Sequence, residues 1–136
     1  MVEIKIDYEG GLHTRAVHGP SSAILQTDAP VDNQGRGEAF SPTDLLAAAL
    51  GTCMLTVMGI VAQRHGWGLE GAQARVEKHM VEEPTRRVGR LVVDLVFPAT
   101  IPESARSVLL STAKTCPVKQ SLHPEIEIEL RPHWEA

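Results

Sequence analysis

The sequence predicts an α+β fold, with antiparallel sheets around one long buried central helix. Three observations predict it. Strand-like alternation comes in groups, before Asp28, between Trp67 and Phe97, and again near the C-terminus, instead of alternating regularly with helices. The stretch Ser41–Gly66, SPTDLLAAALGTCMLTVMGIVAQRHG, reads as a single helix. From Leu45 to Ala62 that helix carries no charged residue, and a helix apolar nearly all round must be covered on most sides.

The elements follow in chain order. Val2, Ile4 and Ile6 alternate with Glu3, Lys5 and Asp7, the pattern of a half-buried strand. Glu9-Gly10-Gly11 is a hairpin turn, Leu12–Val17 the return strand and Ser22–Thr27 a third strand. Asp28–Phe40, rich in Pro, Asn, Asp and Gly, is a loop. Ser41 caps the central helix, Pro42 occupies the first turn and Asp44 stands where a capping box places its acid. At about 1.5 Å per residue the helix from Pro42 to His65 is about 36 Å long, and Gly66 ends it. Its apolar stripe is Leu46, Leu50, Cys53, Val57, Ile60 and Val61. Trp67–Val81 and Val88–Phe97 read as two long strands, with Leu91, Val93, Leu95 and Phe97 facing one way. Thr100 with Glu103 forms a second helix start, and that helix runs to about Lys114 with Ala105, Val108, Leu109 and Thr112 or Ala113 inward. Pro117 opens a short helix to Leu122 and leaves Cys116 at its cap. Glu125–Leu130 alternates strictly, as an edge or solvent-faced strand does.

A chain of 136 residues, 43% hydrophobic and 22% charged, fits one globular domain, residues 1–136. Its net charge of −4 gives no footprint for nucleic acid and no polybasic surface for anionic lipid. The opening MVEIKIDYEG lacks the apolar core of a signal peptide, so the cytoplasm is the expected compartment. The long uncharged helix also meets the length of a membrane span. Its padding with Ala, Gly and Thr, and the polar strand-like sequence on both sides, favour a core helix of a soluble protein.

In a reducing compartment the two cysteines, Cys53 and Cys116, point to catalysis or redox cycling before a permanent staple. Neither belongs to a CxxC or a zinc spacing, and the six histidines fall at no ligand spacing with a cysteine. Cys53 sits mid-helix among apolar residues, where burial alone makes a thiol inert. To serve as a nucleophile it needs a cation, and Arg15 and Arg36 lie in the preceding segments, Arg36 being nearer in the chain. Cys116 has the backbone N–H groups of a helix start, with Lys114 and Lys119 close in sequence. Two thiols in unlike settings suit a two-step oxidation, first to a sulfenic acid and then to a disulfide. The disulfide would be reset by an external dithiol. Phe40, Leu12 and Met54 are candidates to border an apolar pocket for the organic part of a hydroperoxide, and Trp67 and Trp134 are read as packing anchors.

SPTDLLAAALGTC followed by CPVKQSL resembles the OsmC/Ohr family of thiol-dependent hydroperoxide reductases, and YEGGL and the DAP-to-Gly loop extend the resemblance over nearly the whole chain. It implies an intertwined homodimer with two central helices at its core and active sites at the subunit interface. Cys53 then matches the attacking cysteine and Cys116 the resolving one. The family holds the thiolate with an arginine, itself held by a glutamate that follows the helix-start proline in the Ohr-like branch. Here that place is Thr43, and the acid is Asp44, one residue and about 100° further round the helix. Glu38 is a candidate substitute, and Leu12 stands where the Ohr-like branch carries its arginine. The implied activity is reduction of organic hydroperoxides or hydrogen peroxide, using a dithiol and no cofactor or metal. The alternative is a non-catalytic module of the same fold that binds a small apolar or thiol-bearing ligand.

Overall fold

In a computed structural model, which describes residues 1–135, the chain divides into two compact units, Met1–Leu46 and the remainder from Ala47. The first holds three strands, β1 (Ile4–Gly10), β2 (His13–His18) and β3 (Ile24–Asp28), in one antiparallel sheet of that order. Gly10, Gly11 and Leu12 turn the first hairpin with φ of +83°, +60° and +60°, a left-handed run that the two glycines, but not Leu12, adopt at little cost.

The half-burial expected for β1 is not found. All seven of its residues are exposed, and Ile4 and Ile6 keep 56% and 63% of their surface. Alternation marks two different faces, but a face is buried only when another element covers it. Within this unit none does so for β1.

The first unit's buried charge is Asp28, 4% exposed. The His13 Nδ1–H donates to its Oδ1 at 2.6 Å and the Glu38 N–H to its Oδ2 at 3.2 Å. The His13 Nε2 faces Gln26 Oε1 at 2.9 Å and Glu9 Oε1 at 3.5 Å. Acceptors on both ring nitrogens favour the doubly protonated imidazolium, and the Asp28 hydrogen bond, with Gln26 behind it, raises the His13 pKa above 6.5. The loop after Asp28 closes on itself. Asp28 N–H donates to Phe40 O, Ala29 N–H to Leu12 O and Gly37 N–H to Ala29 O. Gly35 is required there, since a Cβ would stand 1.7 Å from the Ala29 carbonyl oxygen.

Helix α1 (Pro42–His65) starts at the end of the first unit with a complete capping box. Ser41 Oγ accepts the Asp44 N–H at 3.1 Å and Asp44 Oδ2 accepts the Ser41 N–H at 2.9 Å. Gly66, at φ +71°, ends it, and Trp67 N–H reaches back to Ala62 O.

The expected stripe and the near-complete burial of this helix need correction. The buried residues are Ala47, Leu50, Gly51, Met54, Met58 and Ala62. Of the predicted stripe only Leu50 is among them, and Ile60 is 47% exposed. The inward face mixes large residues, Leu50, Met54 and Met58, with small ones, Ala47, Gly51 and Ala62. Gly51 is pressed so close to β4 (Gln73–Val81) that a Cβ would lie 2.9 Å from Val76 Cγ2.

The second sheet has the order β4, β5 (Arg87–Phe97), β6 (Glu127–Trp134). Central β5 buries Leu91, Val93, Leu95 and Phe97 as expected, and Val92 as well. The strand foreseen from Trp67 begins only at Gln73, after Gly71 at φ +93°. The expectation of purely antiparallel sheets also fails, because β6 runs parallel to β5. Parallel neighbours need a crossover. It is supplied by α2 (Arg106–Lys114) and α3 (Pro117–Ser121). Thr100 does not cap α2, since its hydroxyl donates to Gly68 O at 2.6 Å and a 3-10 turn at Glu103–Ala105 leads in. Ala105, Leu109 and Ala113 are buried, but Val108 faces out at 41% exposure. Trp134 stacks on Phe97 at 4.0 Å, beneath the Arg106 guanidinium at 4.9 Å, the anchoring role expected of it.

Two glycines of α1 should respond oppositely to added side chains. Gly51→Leu should lower stability by about 1–3 kcal/mol through overpacking. Gly59, where a Cβ would meet nothing within 4 Å, should gain about 0.5–1 kcal/mol as Gly59→Ala. Urea unfolding of both variants checks the signs.

The His13 contact gives a pH dependence. A raised histidine pKa contributes stability that is fully present below the unfolded value near 6.5 and is lost as pH rises through the folded value. Melting temperature should therefore fall as pH rises from below about 6.5 through the raised folded value. The fall should be smaller in His13→Gln.

Candidate active site

Both sulfurs belong to the second unit, and the fold brings them together. Cys53 is carried by α1, on the shoulder beside buried Met54, and is partly exposed. Cys116 is fully buried, at 0% exposure. The two are unbridged. Cys53 is a close enough neighbour of Cys116 to act on its titration.

The placement of Cys116 follows from the residue after it. Proline bars the helical region to its predecessor, so Cys116 takes φ −62° and ψ 143° between α2 and α3. Pro117 then opens α3 at a position where a missing N–H is harmless. The Cys116 Sγ accepts the Lys119 N–H at 3.4 Å, and its carbonyl accepts the Gln120 N–H at 3.1 Å. Burial is the largest influence on this thiol and pushes its pKa up from 9.0. The Lys119 and Val118 N–H groups pull it down, while neighbouring Cys53 pushes it up further. The expected helix-cap cysteine is therefore found, but its burial outweighs the amides and holds it as a thiol.

The remaining candidates all lie in the first unit. Arg15 is on β2, across from Asp7 and Gln26. Arg36 is exposed in the loop, its guanidinium 3.6 Å from where a Gly11 Cβ would stand. Glu38 gives its N–H to Asp28 and, with Gly37, Ala39, Phe40 and Asp44, lines a shallow open cleft. Asp44 uses one carboxylate oxygen in the capping box. Of the three proposed pocket residues, Phe40 lies in that cleft, Leu12 is 44% exposed at the hairpin, and Met54 is fully buried core that borders neither of the clefts described here. The second cleft, of about 310 Å³, is lined by Leu55, Gly59, Trp67, Leu69 and Glu70 among others, and neither cysteine lines it. Trp67 is stacked on His65 there at 4.3 Å.

Sequence reasoning missed the pairing of His13 with Asp28. A signal existed, because the two residues face each other across β2 and β3 when the hairpin register is drawn.

The family model for OsmC-like proteins matches residues 35–131. Among solved structures, a protein from Psychrobacter arcticus 273-4, named for a proposed role in osmotic-stress induction and detoxification response, is 44% identical. The match covers 98% of this chain and 96% of that one, with a TM-score of 0.92. An organic hydroperoxide resistance protein OsmC from Legionella pneumophila is 18% identical, with coverages of 98% and 96% and a TM-score of 0.78. An organic hydroperoxide resistance protein from Elizabethkingia anophelis is 16% identical, with coverages of 99% and 96% and a TM-score of 0.75. The last two likenesses are likenesses of fold. No curated protein matches the chain.

The thiols should differ in reactivity. In the reduced native protein at neutral pH, iodoacetamide should label Cys53 at least about tenfold faster than Cys116, because burial closes access to Cys116 and raises its pKa. Peptide mapping over a time course reads the ratio.

Proposed function

The chain belongs to the OsmC-like family, and from that premise we propose that it is a thiol-dependent peroxidase for organic hydroperoxides or hydrogen peroxide. The observation that carries this reading is the adjacency of two free sulfurs in unlike settings, one partly exposed and one buried and capped. The Cys53 thiolate attacks one peroxide oxygen and the O–O bond breaks. The alcohol or water leaves with a proton, and Cys53 becomes a sulfenic acid. Cys116 then loses its proton and attacks that sulfur, expelling water and forming the disulfide. An external dithiol restores both thiols and is itself oxidised.

The Cys53 thiolate needs a cation, and Arg36 and Arg15 remain the alternatives, with Glu38 or Asp44 as the acid that would orient it. We propose further a cytoplasmic homodimer. Its support is the apolar surface left open on a single chain, Ile4, Ile6, Tyr8, Ile24, Leu25 and Ile60.

One observation favours the second reading, a binder of a small apolar or thiol-bearing ligand without turnover. Thr43 follows the helix-start proline, and the nearby acid, Asp44, takes part in the capping box.

The deciding measurement is peroxide consumption with excess dithiothreitol. Wild type should consume cumene hydroperoxide or hydrogen peroxide and Cys53→Ser should not. Equal rates would overturn the peroxidase reading. Of Arg36→Met and Arg15→Met, the one that removes the cation should slow the reaction about tenfold for each pKa unit of lost thiolate support.

A further inference from the structure

The asymmetry between the two sulfurs has a bearing on the reductive half of the cycle. A disulfide can be opened at either sulfur, and the outcome depends on access to the sulfur attacked and on how well the other sulfur leaves. The attacking thiolate must approach along the line of the S–S bond, from behind the sulfur it strikes. At Cys116 that approach is closed, because the residue is 0% exposed. At Cys53, partly exposed on the shoulder of α1, the sulfur stands nearer the solvent. The other requirement is not what selects the sulfur, because burial raises the Cys116 pKa and slows its departure, so access decides. The Lys119 N–H already donates to Cys116 Sγ at 3.4 Å, so an amide is in place to receive negative charge as that sulfur departs.

We infer that the reducing dithiol attacks the Cys53 sulfur, that Cys116 is the leaving sulfur, and that the mixed disulfide with the reductant forms on Cys53 alone. This deepens the proposed function and rests on the two cysteines forming a disulfide. The thiolate of the dithiol bonds to Cys53 Sγ as the S–S bond breaks, and the electron pair goes to Cys116 Sγ. Cys116 then takes up a proton. The second thiol of the reductant attacks its own sulfur in the mixed disulfide, releasing the Cys53 thiolate and closing the reductant's disulfide. Two electrons and two protons pass from dithiol to protein. The burial of Cys116 serves this sequence. Once expelled, the sulfur is returned to its thiol form, which must lose its proton again before it can strike back at the mixed disulfide.

The test uses the wild-type protein and glutathione, a monothiol that cannot complete the second step. The disulfide is prepared twice, with peroxide and with diamide. Each sample is exposed briefly to excess glutathione, quenched with acid, alkylated and mapped. The glutathione should be found on the peptide of Cys53 and the alkyl group on that of Cys116, with the opposite arrangement at least about tenfold rarer. Glutathione mainly on Cys116, or spread evenly over both, overturns the inference. A disulfide made by diamide but not by peroxide overturns the peroxidase reading and leaves the polarity measurable. A disulfide made by neither overturns both.

Discussion

The close approach of α1 to the second sheet is the constraint on which the rest depends. Gly51 has no side chain, and through it the helix comes hard against Ala74 and Val76 of β4, while Ala47 and Ala62 are buried on the same helix. Leu50, Met54 and Met58 fill the spaces between, all at 0% exposure. Once that face is fixed, the others follow at about 100° per residue. Cys53 is thereby held beside the core without being sealed inside it. A larger residue at Gly51 would move the helix and the sulfur with it.

The second sulfur is placed by a different kind of constraint. Cys116 owes its position to Pro117, which forbids it the helical conformation and forces the chain to turn between α2 and α3. Packing decides where Cys53 stands, and backbone stereochemistry decides where Cys116 stands. Their environments differ accordingly. One sulfur keeps a route to solvent, while the other is surrounded by protein and faces a backbone amide.

Much of this was legible in the sequence, and the misses share a cause. The bounds of α1, its capping box and the Cys116 cap are local matters, decided by Ser41, Asp44, Gly66 and Pro117, and they read correctly. The inward face of α1 was misread. A helix filled with Ala, Gly and Leu on every side has no polar contrast, and hydrophobicity cannot reveal which small residue lets a strand come near. The burial of β1 was overestimated because alternation gives faces and says nothing of what covers them. The parallel pairing of β6 with β5 and the His13–Asp28 contact need the register of distant strands, which no local pattern carries. The two cysteines were identifiable from their motifs. Their adjacency across the fold was not, since nothing short of the tertiary structure joins them.

The late meeting of the two sulfurs bears on how the protein is made. The crossover from β5 to β6 contains Cys116, while Cys53 lies before β4, so the sulfurs are separated by the whole of the second sheet's first hairpin. A chain emerging from the ribosome exposes the earlier sulfur long before the later one has been synthesised. The pair exists only once long-range contacts have formed, the slowest kind to assemble. During translation the early thiol stands without its later neighbour, and an oxidant reaching the nascent chain would meet one sulfur with no second one beside it.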